Sequence, residues 1–396
     1  YIDKILLYHL PASRGAWRNN ISFIADDEDL NLHLNDAEDI SATAAVASDQ
    51  FLQRKIYFDA FQQQSDAAGS RYPEVNQRVS ELMQNGTLLW NYSGHGGFRR
   101  LAEEVVLDKE IVDGWQQNGR LPLFITATCD FAPFDNDAIE SLGEYLLTKP
   151  SAGAIALMTT TRLVFAYSNR IMNGNYLAMA LKRLPDGRYR SLGEAVRDAK
   201  NATSEVSGDV FNNRKFTLLG DPALTLAFPL HQVETTHIND KPVAEGLDTL
   251  RALQEITIRG RITNRDGQLL NGFNGTVFPQ VLDKAYEQQT LGNDAGSPVT
   301  GFRRQDRFIF NGKATVTNGL FRFSFVIPKD IDYAAGEARI LYYALDSLSD
   351  AQGATGKMPI AGSNPPSADI EGPVIRAWLN DSSFRNGAIT NDQPNL

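Results

Sequence analysis

The feature that most constrains this chain is a change in its hydrophobic rhythm. From residue 20 to about 225, short apolar runs alternate with longer amphipathic stretches; beyond Pro222 and Pro229, β-type runs follow one another with only turn residues between them. The first pattern predicts an α/β unit with a mostly parallel sheet, because each amphipathic crossover returns the chain to the start of the next strand. Strands are expected over 21–25, 87–92, 121–127, 154–159 and 216–219, and helices over 40–65, 75–85, 108–118, 139–147 and 192–205. Asp108 before an acidic first turn, and Ser191 three residues before Glu194, supply helix-start signals.

The second pattern predicts an all-β module of immunoglobulin-like sandwich type. Its expected strands, 255–263, 275–279, 312–317, 320–327 and 338–343, are punctuated by Gly, Asn and Asp, and Asn318-Gly319 is a strong hairpin signal. The expected organisation is therefore an α/β unit over 1–228, a β-sandwich over 229–362, and a linker with the start of a further β-module over 363–396. That last module begins with an expected strand at 374–379. Because the chain opens at Tyr1 rather than Met and stops without a finishing element, it reads as a fragment.

Composition removes several classes of function. Lys plus Arg is 38 against 48 for Asp plus Glu, a net charge of −10, which argues against a nucleic-acid partner. The single cysteine, Cys129, rules out an intrachain disulfide and any multi-cysteine metal site. No run approaches the ~20 apolar residues of a membrane-spanning helix.

Two strand ends carry reactive side chains. Asn91-Tyr92-Ser93-Gly94-His95-Gly96-Gly97 follows the apolar run Leu88-Leu89-Trp90, and Thr126-Ala127-Thr128-Cys129-Asp130 follows Leu121-Pro122-Leu123-Phe124-Ile125. The 34 residues from His95 to Cys129 are about what a strand–helix–strand crossover consumes, so the two side chains are expected at one edge of the sheet, where α/β folds place their ligands. There an imidazole can supply acid–base chemistry to a thiol nucleophile, and glycine lets a substrate approach closely. The N–H groups of Gly96 and Cys129 are candidate oxyanion donors.

These motifs, together with Phe216-Thr217-Leu218-Leu219-Gly220-Asp221-Pro222, resemble the gingipain-type cysteine peptidases in order, spacing and flanking sequence. The resemblance covers roughly 20–228 and implies a caspase-like α/β catalytic domain. Thr128, between Ala127 and Cys129, departs from that group's Ala-Cys pattern. The resemblance assigns Cys129 as nucleophile, His95 as general acid and base, and Gly96 as oxyanion donor. It also implies an acidic residue that orients the histidine, at Asp27 with Asp26 as its rival, and a pocket wall near Phe165 and Tyr167. Asp130 and Asp36 are carboxylates that a pocket for basic side chains would need.

Within the family, Trp17-Arg18-Asn19-Asn20 running into Ile24-Ala25-Asp26-Asp27 resembles the sortases of the type IX secretion system. This implies a secreted enzyme at the bacterial outer-membrane surface that removes C-terminal sorting domains from cargo. Other secretion components would be its partners, and an anionic lipopolysaccharide an acyl acceptor. A degradative endopeptidase and a non-catalytic cargo-binding scaffold are the alternatives. No cofactor is expected; the acidic residues Asp26, Asp27, Glu28, Asp29, Asp36, Glu38 and Asp39 lack EF-hand spacing and read as a solvated loop, with calcium, found in gingipains, as the alternative. The β-module is expected to be a rigid spacer away from the crevice, with 229–254, including His231 and His237, as a connecting segment rather than a strand.

Overall fold

Strands rich in β-branched and aromatic residues build the centre of the α/β part, and their pleat sends alternate side chains to opposite faces. The computed structural model describes residues 1–365 apart from 68, 151, 295 and 296. The strand expected at 374–379 lies outside the described residues. The chain runs through α1 (Ile2–His9), β1 (Asn20–Ala25), α2 (Glu28–Ala47), β2 (Leu52–Tyr57), α3 (Pro73–Asn85) and β3 (Leu89–Ser93). It continues through β4 (Leu123–Ala127), α4 (Leu142–Thr148), β5 (Ala156–Thr160), α5 (Ala166–Ala180), α6 (Leu192–Ser207) and β6 (Phe216–Leu219).

These strands form one sheet in the order β6-β5-β4-β3-β1-β2. Every neighbouring pair is parallel except β5 with β6. Alternation along the strands divides the core into two layers. Ile21, Phe23, Ile125 and Met158 meet Leu34 and Ile40 of α2, Met172 and Tyr176 of α5, and Val196 of α6. On the other face Ile24, Trp90, Phe124 and Leu157 meet Val75, Val79 and Met83 of α3 and Leu142 and Leu146 of α4. A mixed sheet with helices on both faces fits the expected caspase-like architecture.

The capping signals work as read. Ser191 and Glu194 form a capping box at α6, and Asp108 accepts a hydrogen bond from the Ile111 N–H at 2.9 Å. The helix expected over 40–65 is a correction: α2 begins at Glu28 and ends at Ala47, and β2 follows. Strand β2 is the sheet edge that the β-module covers, so its middle residues find partners instead of forming an apolar stripe. Lys55 binds Glu38, and Arg54 lies over the Phe308 ring. Helix α5 had no expectation of its own.

The second part contains β7 (His231–Ile238), β8 (Glu255–Thr263), β9 (Gly275–Leu282), β10 (Tyr286–Gln289), β11 (Gly301–Arg304), β12 (Ala314–Thr317), β13 (Leu320–Val326), β14 (Gly336–Asp346) and β15 (Asp350–Ser363). It is all-β, and Asn318-Gly319 turns the β12–β13 hairpin with both φ angles positive. Hydrogen bonding joins seven strands in the closed order β7-β8-β13-β12-β9-β14-β15 and back to β7. Two separate facing sheets were expected, so the immunoglobulin-like assignment does not follow from this topology. Closure rests on the parallel pairing of His231 with Ala351 and Gln232 with Gln352. It corrects the reading of 229–254 as a plain connector, because His231 and His237 both lie in β7.

Residues 1–363 form one compact unit. The joint between its two parts is polar and buried: Arg18 donates to Asp350 at 2.7 Å, with both side chains almost wholly covered. Asn19 donates to the Tyr342 carbonyl at 2.7 Å, and Phe302 of β11 packs on Tyr57 in the α/β core. No helix among the described residues is long and apolar enough to cross a membrane. Removing one partner of a buried ion pair strands the other charge, so Arg18→Leu should lower the unfolding free energy by roughly 3 kcal/mol. Urea denaturation checks this; an unchanged midpoint would mean the pair does not hold the joint.

Candidate active site

Ser93 at the end of β3 is the register partner of Ala127 at the end of β4. His95 and Cys129 each lie two residues further on, so they emerge at the same level from neighbouring parallel strands. The Gly94 N–H reaches the Ala127 carbonyl at 3.5 Å, which ties the two turns together. Strand β1 flanks β3 on its other side, and the residues after its end bring Asp26, Glu28 and Asp29 to His95.

The turn carrying His95 is held by its backbone. Its N–H donates to Asp26 Oδ2 at 2.9 Å, and its carbonyl accepts from the Tyr92 hydroxyl at 2.7 Å. A Cβ on Gly94 would fall 2.5 Å from both Asp26 Cβ and the Tyr92 hydroxyl, so only glycine fits that position. Gly96 backs onto Thr128, the residue before Cys129, where an added Cβ would come within 2.8 Å of Oγ1.

The imidazole itself is half-exposed, and its Nε2 meets Asp29 Oδ2 at 3.0 Å and Glu28 Oε2 at 3.4 Å. Burial opposes the charged ring, but the Asp29 hydrogen bond and the charges of Asp26, Glu28 and Asp29 outweigh it and hold His95 above its ordinary value. The buried His33 stands edge-on to it, 5.0 Å between ring centres. Asp29, Leu30 and Asn31 take three successive left-handed conformations, which non-glycine residues adopt only under restraint. The restraint comes from the β-module: Asn31 Nδ2 donates to the Pro298 carbonyl at 2.5 Å, and Ser297 Oγ to the Asp27 carbonyl at 3.2 Å.

Cys129 is half-buried, packs against the core under α5, and directs its thiol to the Val164 carbonyl at 3.7 Å. Asp130 follows with a positive φ of 46°, and its N–H reaches the Arg162 carbonyl at 3.4 Å. Phe165 and Tyr167, next to Val164, are 60% and 65% exposed and so are not core aromatics. Thiol and imidazole therefore lie on neighbouring strand ends, the thiol bonded to the Val164 carbonyl and the imidazole to Asp29.

The structure does not bring Asp27 to the imidazole. Its carboxylate accepts from the Tyr72 hydroxyl, and burial, with neighbouring carboxylates, pushes it up to about 9. The acidic run is not one solvated loop: Asp36 and Asp39 meet Arg170, Glu38 binds Lys55 and Tyr57, and Asp29 faces the histidines. Asp26 and Asp27 instead join Glu104 in a buried group. Sequence reasoning missed Glu28 and Asp29 at the ring, although the Asp-Asp-Glu-Asp run after a strand end was the available signal.

The β-module does come near this site, contrary to the expectation that it lies away from the crevice. Asp294 and Ser297 share with Glu28, Asp29, Arg71 and Glu104 the wall of a cavity of about 620 Å³. The placement away from the crevice is what fails, because nothing local in the sequence shows where Asp294 and Ser297 dock.

Residues 1–227 match the model of peptidase family C25. Among solved structures, the chain is similar to dimeric latent PorU from Porphyromonas gingivalis, with 30% identity over 59% of this chain and 22% of that one, at a TM-score of 0.37. It thus spans about a fifth of the PorU chain. It is also similar to the Arg-specific cysteine proteinase gingipain R, at 15% identity over 91% of this chain and 71% of that one, with a TM-score of 0.48. The complex of Porphyromonas gingivalis RgpB pro- and mature domains matches at 14% identity, 89% and 73% coverage, and a TM-score of 0.49. No curated protein matches. With the family model spanning more than half of its length, the chain belongs to peptidase family C25, the gingipain family of cysteine endopeptidases.

Proposed function

We propose that this chain carries the catalytic centre of a cysteine endopeptidase with Cys129 as nucleophile and His95 as general acid and base. The observation that carries the reading is the register pairing of Ser93 with Ala127, which puts both side chains at one level on adjacent strands. Asp29 and Glu28 occupy Nε2 of His95 and leave Nδ1 for the reacting groups. Asp29, rather than Asp27, is the nearer orienting carboxylate.

In this reading Nδ1 takes the Cys129 proton, and the thiolate adds to the scissile carbonyl carbon. The negative charge on the former carbonyl oxygen falls to the N–H groups of Gly96 and Cys129. The C–N bond then breaks, the proton on Nδ1 passes to the departing amine, and a thioester remains on Cys129. Water, losing its proton to the same nitrogen, releases an acid. An amine in place of water forms a new amide and makes the net reaction transpeptidation. In this reading Phe165 and Tyr167, exposed just after the Val164 carbonyl that accepts the thiol, contact the substrate, and Asp130, next to Cys129, is a further contact.

We assign the biological substrate as secreted proteins bearing C-terminal sorting domains, processed at the outer-membrane surface among other type IX secretion components. The resemblance of residues 17–27 to the sortases of that system supports this, and an amine on an anionic lipopolysaccharide is the proposed acceptor. No basic-side-chain pocket is required for that task, so the expected selectivity is broad, with small or polar residues around the cut. A degradative endopeptidase would instead need a carboxylate-based pocket.

Three measurements test this. Cys129→Ala should abolish processing of a sorting-domain substrate while the near-ultraviolet circular dichroism stays unchanged; cleavage by that variant overturns the nucleophile. Asp29→Asn should lower kcat/KM by about tenfold or more, because the imidazole loses its shorter partner, and wild-type kinetics would remove Asp29 from the site. A peptide library should give mixed cleavage; strict cutting after Arg or Lys would favour the degradative enzyme.

A further inference from the structure

His33 and His95 lie far apart in the chain and meet at Asp29. His33, on α2, is 7% exposed, and its ring stands edge-on to that of His95 with 5.0 Å between centres. Asp29 Oδ2 lies 3.0 Å from His95 Nε2 and 3.6 Å from His33 Nε2. The second distance is too long for a hydrogen bond, and His33 Nε2 is buried with no partner among the described residues. A buried ring nitrogen left unpaired is costly, and here it stands where two other donors converge. One donor atom from each of the three residues lies within 4.8 Å of the others. Two imidazole nitrogens and a carboxylate oxygen make up the donor set of a three-ligand zinc site. Bonds of about 2.0–2.1 Å in a tetrahedron place donors about 3.3 Å apart, between the two distances found here. Asp29 also lines the cavity of about 620 Å³, which gives an ion a way in and leaves its fourth position to water.

We propose that Asp29, His33 and His95 form a binding site for a zinc ion, entered from that cavity, and that the bound ion reversibly shuts off His95. The site stands on geometry alone. Its effect on turnover rests on the peptidase reading, in which Nδ1 of His95 handles the proton. Zinc on Nε2 takes that nitrogen's lone pair, so the neutral ring keeps its one proton on Nδ1. Nδ1 then cannot accept the Cys129 proton, and no thiolate forms by that route. The ligand that sets this site apart from zinc held by thiol and imidazole is His33, because the Cys129 thiol is directed to the Val164 carbonyl. Calcium, which takes oxygen ligands in greater number, is a poor match to two ring nitrogens.

The test uses the full chain carrying Cys129→Ala, with cobalt as a zinc surrogate that absorbs strongly in the visible when its geometry is tetrahedral. The expected result is a saturable band at about one equivalent of cobalt, bleached by zinc but not by excess calcium or magnesium. His33→Gln and Asp29→Asn, each added to that background, should weaken cobalt binding by about tenfold or more, at least the cost of losing an outer-shell partner. Near-ultraviolet circular dichroism should stay unchanged; if His33→Gln alters it, Asp29→Asn, whose carboxylate is 55% exposed, decides alone. In the chain that keeps Cys129, zinc should inhibit peptide turnover, chelator should restore it, and His33→Gln should raise the half-inhibiting zinc concentration by the same factor. No band in Cys129→Ala, or a band that the ligand variants leave unchanged, overturns the site. Displacement by calcium overturns the assignment to zinc, and a band without inhibition overturns the effect on His95. A chain with no turnover at all fails the peptidase reading, while the cobalt band still decides the site.

Discussion

The parallel pairing of β3 with β4, in the register that opposes Ser93 to Ala127, is the constraint on which the rest of the site depends. A parallel pair ends on one side of the sheet, and the residues beyond it must turn away at the same height. A slip of one residue would reverse the facing of every side chain on one strand, sending Trp90 or Phe124 into the wrong core layer. The stacking of those two rings, 5.0 Å apart, is therefore linked to the placement of His95 and Cys129. Packing fixes the register, and the register places the chemistry.

The third strand of this group, β1, brings a problem and its solution. Its end delivers four consecutive acidic residues, Asp26 to Asp29, into a half-buried turn where like charges would repel. The fold separates them by partner. Asp26 takes backbone and tyrosine donors, Asp27 takes the Tyr72 hydroxyl, and Glu28 and Asp29 face the imidazole. Their different environments give one run of similar side chains different electrostatic tasks.

The β-module takes part in this arrangement rather than standing aside. Asp59 accepts the backbone N–H groups of Gly292 and Asn293, and Asn31 is held by Pro298 and Thr300. These bonds hold the left-handed run at Asp29 to Asn31, whose cost local sequence alone would not sustain. Support for the acidic turn therefore comes from residues more than two hundred positions downstream.

Much of the α/β part was legible from local pattern. Apolar runs marked β1, β3, β4, β5 and β6, and the Ser–Glu spacing marked the start of α6. Such signals are local because periodicity and capping act within a few residues. The glycines around His95 read as room for a substrate, whereas Gly94 and Gly96 make room for Asp26, Tyr92 and Thr128. What only tertiary structure decided are the features whose partners are distant. The polar strand β2 lies at an edge that the second module covers, and β7 is a strand because it pairs with β8 and, at its start, with the distant β15. Which acid meets His95 was settled by a left-handed turn braced from the β-module, and Glu104 joins Asp26 and Asp27 only in space. Sequence determines which side chains can do chemistry, whereas the assignment of each buried charge to a partner is a long-range energy that no local window contains.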